Sequence, residues 1–167
     1  MRKKITLLFF LASALEANSK YDKVFKQVAK KHRNVPSDLL KAIALVENSR
    51  MNPKIKRTNR NGTKDYGLMQ INTIIAKEFD TKESSLLRPR KNIQVAAKHL
   101  ARFTKRGLSW YNIGKYHSKT PSKKILWIRK VKKKLASINP RLSRLIPFNG
   151  KTKIKRKVKY RTFNQES

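Results

Sequence analysis

The sequence predicts an all-α or mostly α domain of five to six short helices, followed by a basic C-terminal tail. Three observations lead there. Apolar residues recur at i, i+3, i+4 and i+7 in several stretches, the spacing that places them on one face of a helix. Pro36-Ser37, Pro89 and Pro121-Ser122 stand ahead of those stretches, as residues that start helices do. No comparable stretch alternates with period two. A length of 167 residues suits one compact domain with appendages rather than two full domains.

The elements follow in chain order. Arg2, Lys3 and Lys4 precede the apolar run Ile5 to Leu11, and small residues come after it at Ala12-Ser13-Ala14 and Ala17. A charged start, a short apolar run and a small-residue end are the layout of a secretory signal peptide, and the run is far short of the ~20 residues that span a membrane. Residues 1–17 are expected to be that signal, with cleavage after Ala14 or Ala17. No cysteine follows, which excludes a lipid-anchored export signal, and no later segment is long and apolar enough to cross a membrane. The expected location is the periplasm.

Helical patterning begins at Tyr21 and runs to His32, with Val24, Phe25 and Val28 on one side. Ser37 is placed to N-cap a helix starting at Asp38. In that helix Leu39, Leu40, Ile43, Val46 and Glu47 share one arc. Ile93, Ala96, Ala97, Leu100 and Phe103 repeat the spacing after Pro89, and Ile125, Ile128, Val131, Leu135 and Ile138 repeat it after Pro121-Ser122. The helical domain is expected over residues 18–138. Beyond it, residues 139–167 are rich in Lys and Arg with Glu166 as their one acid. Such like charge favours disorder, although the alternation around Ile154, Val158 and Tyr160 also permits an edge strand against a partner.

Composition narrows the chemistry. The chain has no cysteine, so disulfides, thiol nucleophiles and Cys-built metal sites are excluded. Its three histidines form no His-x-x-x-His pair, so no metal and no cofactor is expected. There are 43 Lys plus Arg against 9 Asp plus Glu, a formal net charge of +34. Charge of that size drives binding to polyanions through counterion release, but here it is spread along the chain rather than gathered into a nucleic-acid motif. No nucleic acid partner is expected.

The segment VENSRMNPKIKRTNRNGTKDYGLMQIN, from Val46 to Asn72, carries the candidate chemistry. Glu47 closes the apolar arc of its helix, near the helix C-terminus. Desolvation by a packed face and the partial negative charge of a helix end both disfavour an ionised carboxyl. A carboxyl that keeps its proton near neutral pH can act as a general acid. A solvated helical Glu is the plain alternative.

Sequence context favours the acid. Glu47, then Asn52-Pro53, then Gly67-Leu68-Met69-Gln70-Ile71-Asn72, resemble the motifs of the soluble lytic transglycosylases, peptidoglycan-cleaving enzymes with a lysozyme-like α fold. Pro89, Asn92-Ile93, Ala96-Ala97 and Leu100 look like that family's next helix. Trp110, Ile113-Gly114, Tyr116-His117-Ser118 and Thr120-Pro121 look like the final motif of its small stand-alone members, which serve secretion, conjugation or pilus machinery. The resemblance covers about residues 20–138. It implies Glu47 as the catalytic acid, Gln70 and Tyr116 as groups orienting sugar and acid, and Met69 as an apolar contact beneath the sugar ring. Asn52 and His117 complete the implied substrate contacts. His117 reads as a packed or rim residue, Asn61-Gly62 as a turn, and Asp65 as structural because the family works with one acid. The chain departs from the family pattern where Asn48, not Ser, follows the Glu, and where His117 replaces the common Asn.

The implied reaction is cleavage between N-acetylmuramic acid and N-acetylglucosamine with a 1,6-anhydromuramic product. The implied partners are glycan strands and an envelope-spanning apparatus, and the chain is expected to be a monomer. Two alternatives stand beside it: a hydrolytic muramidase on the same fold, and a secreted cationic binding protein with a vestigial glycan site. The export reading has its own test. N-terminal sequencing of the expressed protein should find the mature chain starting at about residue 15 or 18 in a periplasmic extract, whereas an intact Met1 on cytoplasmic protein defeats it.

Overall fold

The computed structural model describes residues 20–148; the expected signal at 1–17 and the basic segment from 149 onward lie outside them. Among the described residues the chain forms seven α-helices, one 3-10 turn and a three-stranded sheet. The helices are α1 (Asp22–Ala29), α2 (Ser37–Glu47), α3 (Thr73–Glu78), α4 (Pro89–Thr104), α5 (Trp110–Gly114), α6 (Pro121–Ile138) and α7 (Pro140–Leu145). The mostly α architecture is as expected, with more and shorter helices than the periodicity resolves.

Helix α2 is the centre of the core. Leu39, Leu40, Ala42, Ile43 and Ala44 are completely buried, because the helix is packed by α6 along one side and by α1 on another. Lys41 reaches Asp22 of α1 at 2.8 Å. Helix α4 closes the core from the far side through Ile93, Ala96, Ala97 and Leu100, the residues whose spacing marked its inner face. Pro89, Pro121 and Pro140 each open a helix, where a missing N–H costs nothing and the fixed φ is already helical.

Three local expectations are corrected. Ser37 is the first helical residue rather than the cap: Pro36 occupies the cap position and no side chain bonds there. Helix α1 stops at Ala29, short of His32, and passes into turns. The packed structure also continues past residue 138. Asn139 accepts the Leu142 N–H (2.9 Å) and donates to Asp38 (2.7 Å), turning the chain from α6 into α7. The Pro147 carbonyl then accepts the Trp110 N–H at 3.0 Å, and Ile146 is buried.

The sheet lies in the segment with no helical period. Strands β1 (Lys56–Thr58), β2 (Lys64–Tyr66) and β3 (Ile71–Asn72) are antiparallel in the order β1-β2-β3. At two to three residues each they are too short to show alternation. Asn61-Gly62 turns the β1–β2 hairpin, with Gly62 at φ +77. Gly67, at φ +72, follows β2 and lies against α4: a Cβ there would sit 2.5 Å from the Leu86 carbonyl and 2.6 Å from the Asn92 amide. Gly67→Ala is therefore expected to cost more than about 2 kcal/mol, adding overpacking to left-handed strain. At Gly62 nothing lies within 4 Å, so Gly62→Ala is expected to cost only about 1 kcal/mol. Denaturant titration of both variants tests this ordering.

Candidate functional site

Glu47 is the last residue of α2. The largely buried helix carries the chain to a groove of about 400 Å³ lined from the sheet, α3, α4 and the segment after α5. Glu47, Arg57, Asp65, Gln70, His99, Tyr116 and His117 are among its lining residues. The Glu47 side chain is 17% exposed. Its Oε1 accepts the Trp127 indole N–H at 2.7 Å, and the same oxygen is 3.7 Å from His117 Nδ1.

Two asparagines hold the chain around the carboxyl. Asn48, buried directly after Glu47, donates its side-chain amide to the Asn52 carbonyl (2.7 Å) and accepts the Asn52 N–H (3.3 Å). This reciprocal pair closes the turn leaving α2. Asn92 of α4, also completely buried, donates to the Tyr66 carbonyl (2.8 Å) and accepts the Met69 N–H (2.8 Å). It pins both ends of the Tyr66–Met69 segment, where Gly67 leaves no room for a side chain.

The expected site residues divide. Glu47, Gln70, Tyr116 and His117 meet in the groove. Gln70 sits at φ +45, with its amide N–H on the Gly67 carbonyl at 2.7 Å and its Oε1 buried without a partner. The Tyr116 hydroxyl donates to the Met69 carbonyl at 3.2 Å. His117 is a rim residue, 37% exposed. Met69 is a correction: its side chain is wholly buried in the core, and only its backbone serves the site. Asn52 is another. It is exposed, does not line the groove, and spends its side-chain oxygen on the Lys54 N–H at 2.9 Å.

Three participants escaped the sequence. Asp65, read as structural, lines the groove from β2 while accepting from Asn59 (3.0 Å) and Asn72 (2.7 Å). His99 reaches the groove from α4, its ring 5.2 Å from that of Tyr116 and its Nδ1 buried without a partner. Trp127 stacks with Tyr116 and His117, its ring centroid 5.8 and 5.1 Å from theirs at 22° and 2°. Its neighbours on α6 mark it as an amphipathic-helix position, and nothing in the sequence pairs it with a residue 80 positions earlier. Among the described residues no group of His, Asp and Glu is placed to hold a metal ion.

The motifs, in this arrangement, match a known domain. The family profile described as Transglycosylase SLT domain matches residues 24–138. The chain belongs to that family. It is 40% identical over 96 residues to Protein IpgF of Shigella flexneri, covering 54% of this chain and 62% of that one. It is 39% identical over 101 residues to Invasion protein IagB of Salmonella typhi, covering 58% of this chain and 62% of that one. The chain thus spans under two thirds of the length of these curated relatives. No solved structure matches it.

Burial shapes how this SLT domain responds to pH. Burial foremost, then the nearby carboxylates of Glu47 and Asp65, pushes the Tyr116 hydroxyl well above the ordinary tyrosine range. The folded state keeps that proton longer than the unfolded chain, so stability falls as pH rises above about 10. Burial foremost, then the Arg102 guanidinium, holds His99 below the ordinary imidazole range, and burial and Lys98 do the same to His32. The unfolded chain then takes up protons first, so stability falls as pH drops below about 6.5. Melting temperatures should decline on both sides of this window. Tyr116→Phe should flatten part of the alkaline side, where Tyr66 is also raised by its hydrogen bond to Glu83, and His99→Leu part of the acid side; unchanged slopes in both variants contradict the assignment.

Proposed function

We propose that this chain is a peptidoglycan lytic transglycosylase that cleaves the β-1,4 bond between N-acetylmuramic acid and N-acetylglucosamine. The observation that carries the reading is Glu47: a partly buried carboxyl facing the groove, with one oxygen held by a neutral donor, in a chain of the SLT family. Glu47 protonates the glycosidic oxygen as the bond to muramic C1 breaks, releasing the N-acetylglucosamine 4-hydroxyl. The oxocarbenium-like centre is met by the substrate's own groups. Glu47, now a carboxylate, takes the proton from the muramic C6 hydroxyl as that oxygen closes onto C1. The product is a 1,6-anhydromuramic end, and no water is consumed.

Gln70 supports this reading by its place in the groove lining beside Glu47, where its amide N–H is held by the Gly67 carbonyl. Tyr116 fixes the Gly67–Gln70 turn through the Met69 carbonyl. The exported, periplasmic location and the monomeric state inferred from the sequence belong to the same proposal. So does service to an envelope-spanning secretion, conjugation or pilus apparatus; the Salmonella relatives carry the name Invasion protein.

One observation favours a second reading. Asp65 puts another carboxylate on the groove wall, and most glycosidases pair two carboxylates to use water or a covalent intermediate. Digestion of purified sacculi separates the readings by product mass: anhydro ends for the transglycosylase, reducing ends for a muramidase, and no release for a cationic binding protein. Glu47→Gln, which keeps shape and removes the proton, should lower turnover by at least ~10²-fold with stability held or raised. Asp65→Asn should still release anhydro product. If Asp65→Asn is dead while Glu47→Gln works at near wild-type rate, the wrong carboxylate has been chosen.

A further inference from the structure

We propose that Trp127 is a positioning residue that fixes which oxygen of Glu47 carries the transferable proton and holds the carboxylate formed after transfer. The proposal rests on the reading of Glu47 as the acid. Its basis is geometric. The Trp127 indole is 4% exposed and donates to Glu47 Oε1 at 2.7 Å. An indole N–H only donates, so Oε1 acts as the acceptor and the proton belongs on Oε2.

The indole is itself held by two stacked rings. Tyr116 stacks at 5.8 Å and 22°, and His117 at 5.1 Å and 2°. Tyr116 is anchored through the Met69 carbonyl, which fixes one side of the stack to the groove floor. Burial and the two stacked rings restrict rotation of the indole, so under the proposal the donor stays aimed at Oε1 in both states of the carboxyl. A donor to a carboxylate favours the charged form. It therefore stabilises Glu47 after it has given up its proton, when it must wait as a base. Rigid donors placed where charge develops are worth more than donors that must reorganise.

The second tryptophan provides an internal comparison. The chain has two, and the Trp110 indole N–H is buried without a partner. A buried indole in this fold thus tolerates an unused donor, and packing alone does not require the bond to Glu47. The titratable and charged groups lining the groove with Glu47 are His117 and Tyr116 after α5, Asp65 on β2, Arg57 on β1 and His99 on α4; no charged residue of α6 lines it. All of them persist in a Trp127 variant, so a change in its pH profile belongs to the indole.

The test has two arms on the full chain. In the first, Trp127→Phe keeps an aromatic in the stack and removes the donor. On purified glycan strands kcat should fall about tenfold or more, with KM within about twofold. The alkaline limb of the kcat profile should move to higher pH, because the carboxylate has lost a donor and the acid form persists further. In the second, the two indole N–H resonances are followed by NMR. Trp127 should lie downfield of Trp110 and move upfield in Glu47→Gln, while Trp110 stays. Wild-type kcat with an unshifted limb in Trp127→Phe overturns the proposal, as does a Trp127 resonance indifferent to Glu47→Gln. If Trp127→Phe does not fold, the resonance decides alone. Failure of the acid reading is seen separately, as sacculus digestion by Glu47→Gln at wild-type rate.

Discussion

The structure depends on one constraint: a carboxyl must be delivered to a groove by the most deeply buried helix of the fold. Helix α2 is apolar on nearly every side, and five of its residues are completely buried. Such a helix cannot shift or rotate without opening the core, so its last residue inherits the rigidity of the whole. The cost is local. The chain must leave the helix at once, and the carboxyl must find a donor at the core's edge. Asn48 solves the first problem with its two-way bond to the Asn52 backbone, and Trp127 solves the second.

The same economy governs charge. A chain with 9 acids against 43 bases has few carboxyls to place, and those described are nearly all engaged. Asp22 meets Lys41, Asp38 meets Asn139, Glu78 meets Arg102, Glu83 meets Tyr66, and Asp65 meets Asn59 and Asn72. Several join segments far apart in sequence. The exposed pairs contribute little each; their service is to register α1 on α2, the α6–α7 junction on α2, and the hairpin on the 3-10 turn (Glu83–Leu87). The basic excess is left to the surface, where it adds attraction to anionic polymers at a range set by salt.

What the sequence made legible was whatever repeats. The inner faces of α2 and α4 followed from spacing, and Glu47 fell on the arc that ends in the groove. Gln70, Tyr116 and His117 were reached by motif and do meet Glu47. Legibility failed where direction depends on a single dihedral or a distant partner. With Gly67 and Gln70 both at positive φ, neither a helical nor a strand period says which way Met69 points, and it points into the core. Asn52 is conspicuous beside Pro53, yet its work is a turn. Trp127 looks like any core tryptophan until α6 is laid against the end of α2, and short strands such as β3 carry no period at all.

The two groove carboxylates are alike in position and differ in hydrogen bonding. Asp65 accepts at both oxygens, one from Asn59 and one from Asn72, and these amides are tied to Thr63 within the same hairpin region. Both of its oxygens are thus spent on the loop that holds it. Glu47 accepts a hydrogen bond at one oxygen only, from a donor that cannot give up its own proton at any ordinary pH. The residue as a whole lines the groove. The acid role proposed for Glu47 calls for such an asymmetry, with one oxygen anchored and the other carrying the proton. The proposal of Glu47 rather than Asp65 as the acid rests on that difference: both oxygens of Asp65 are engaged within the hairpin region, whereas the bond to Glu47 reaches it from a separate helix, α6.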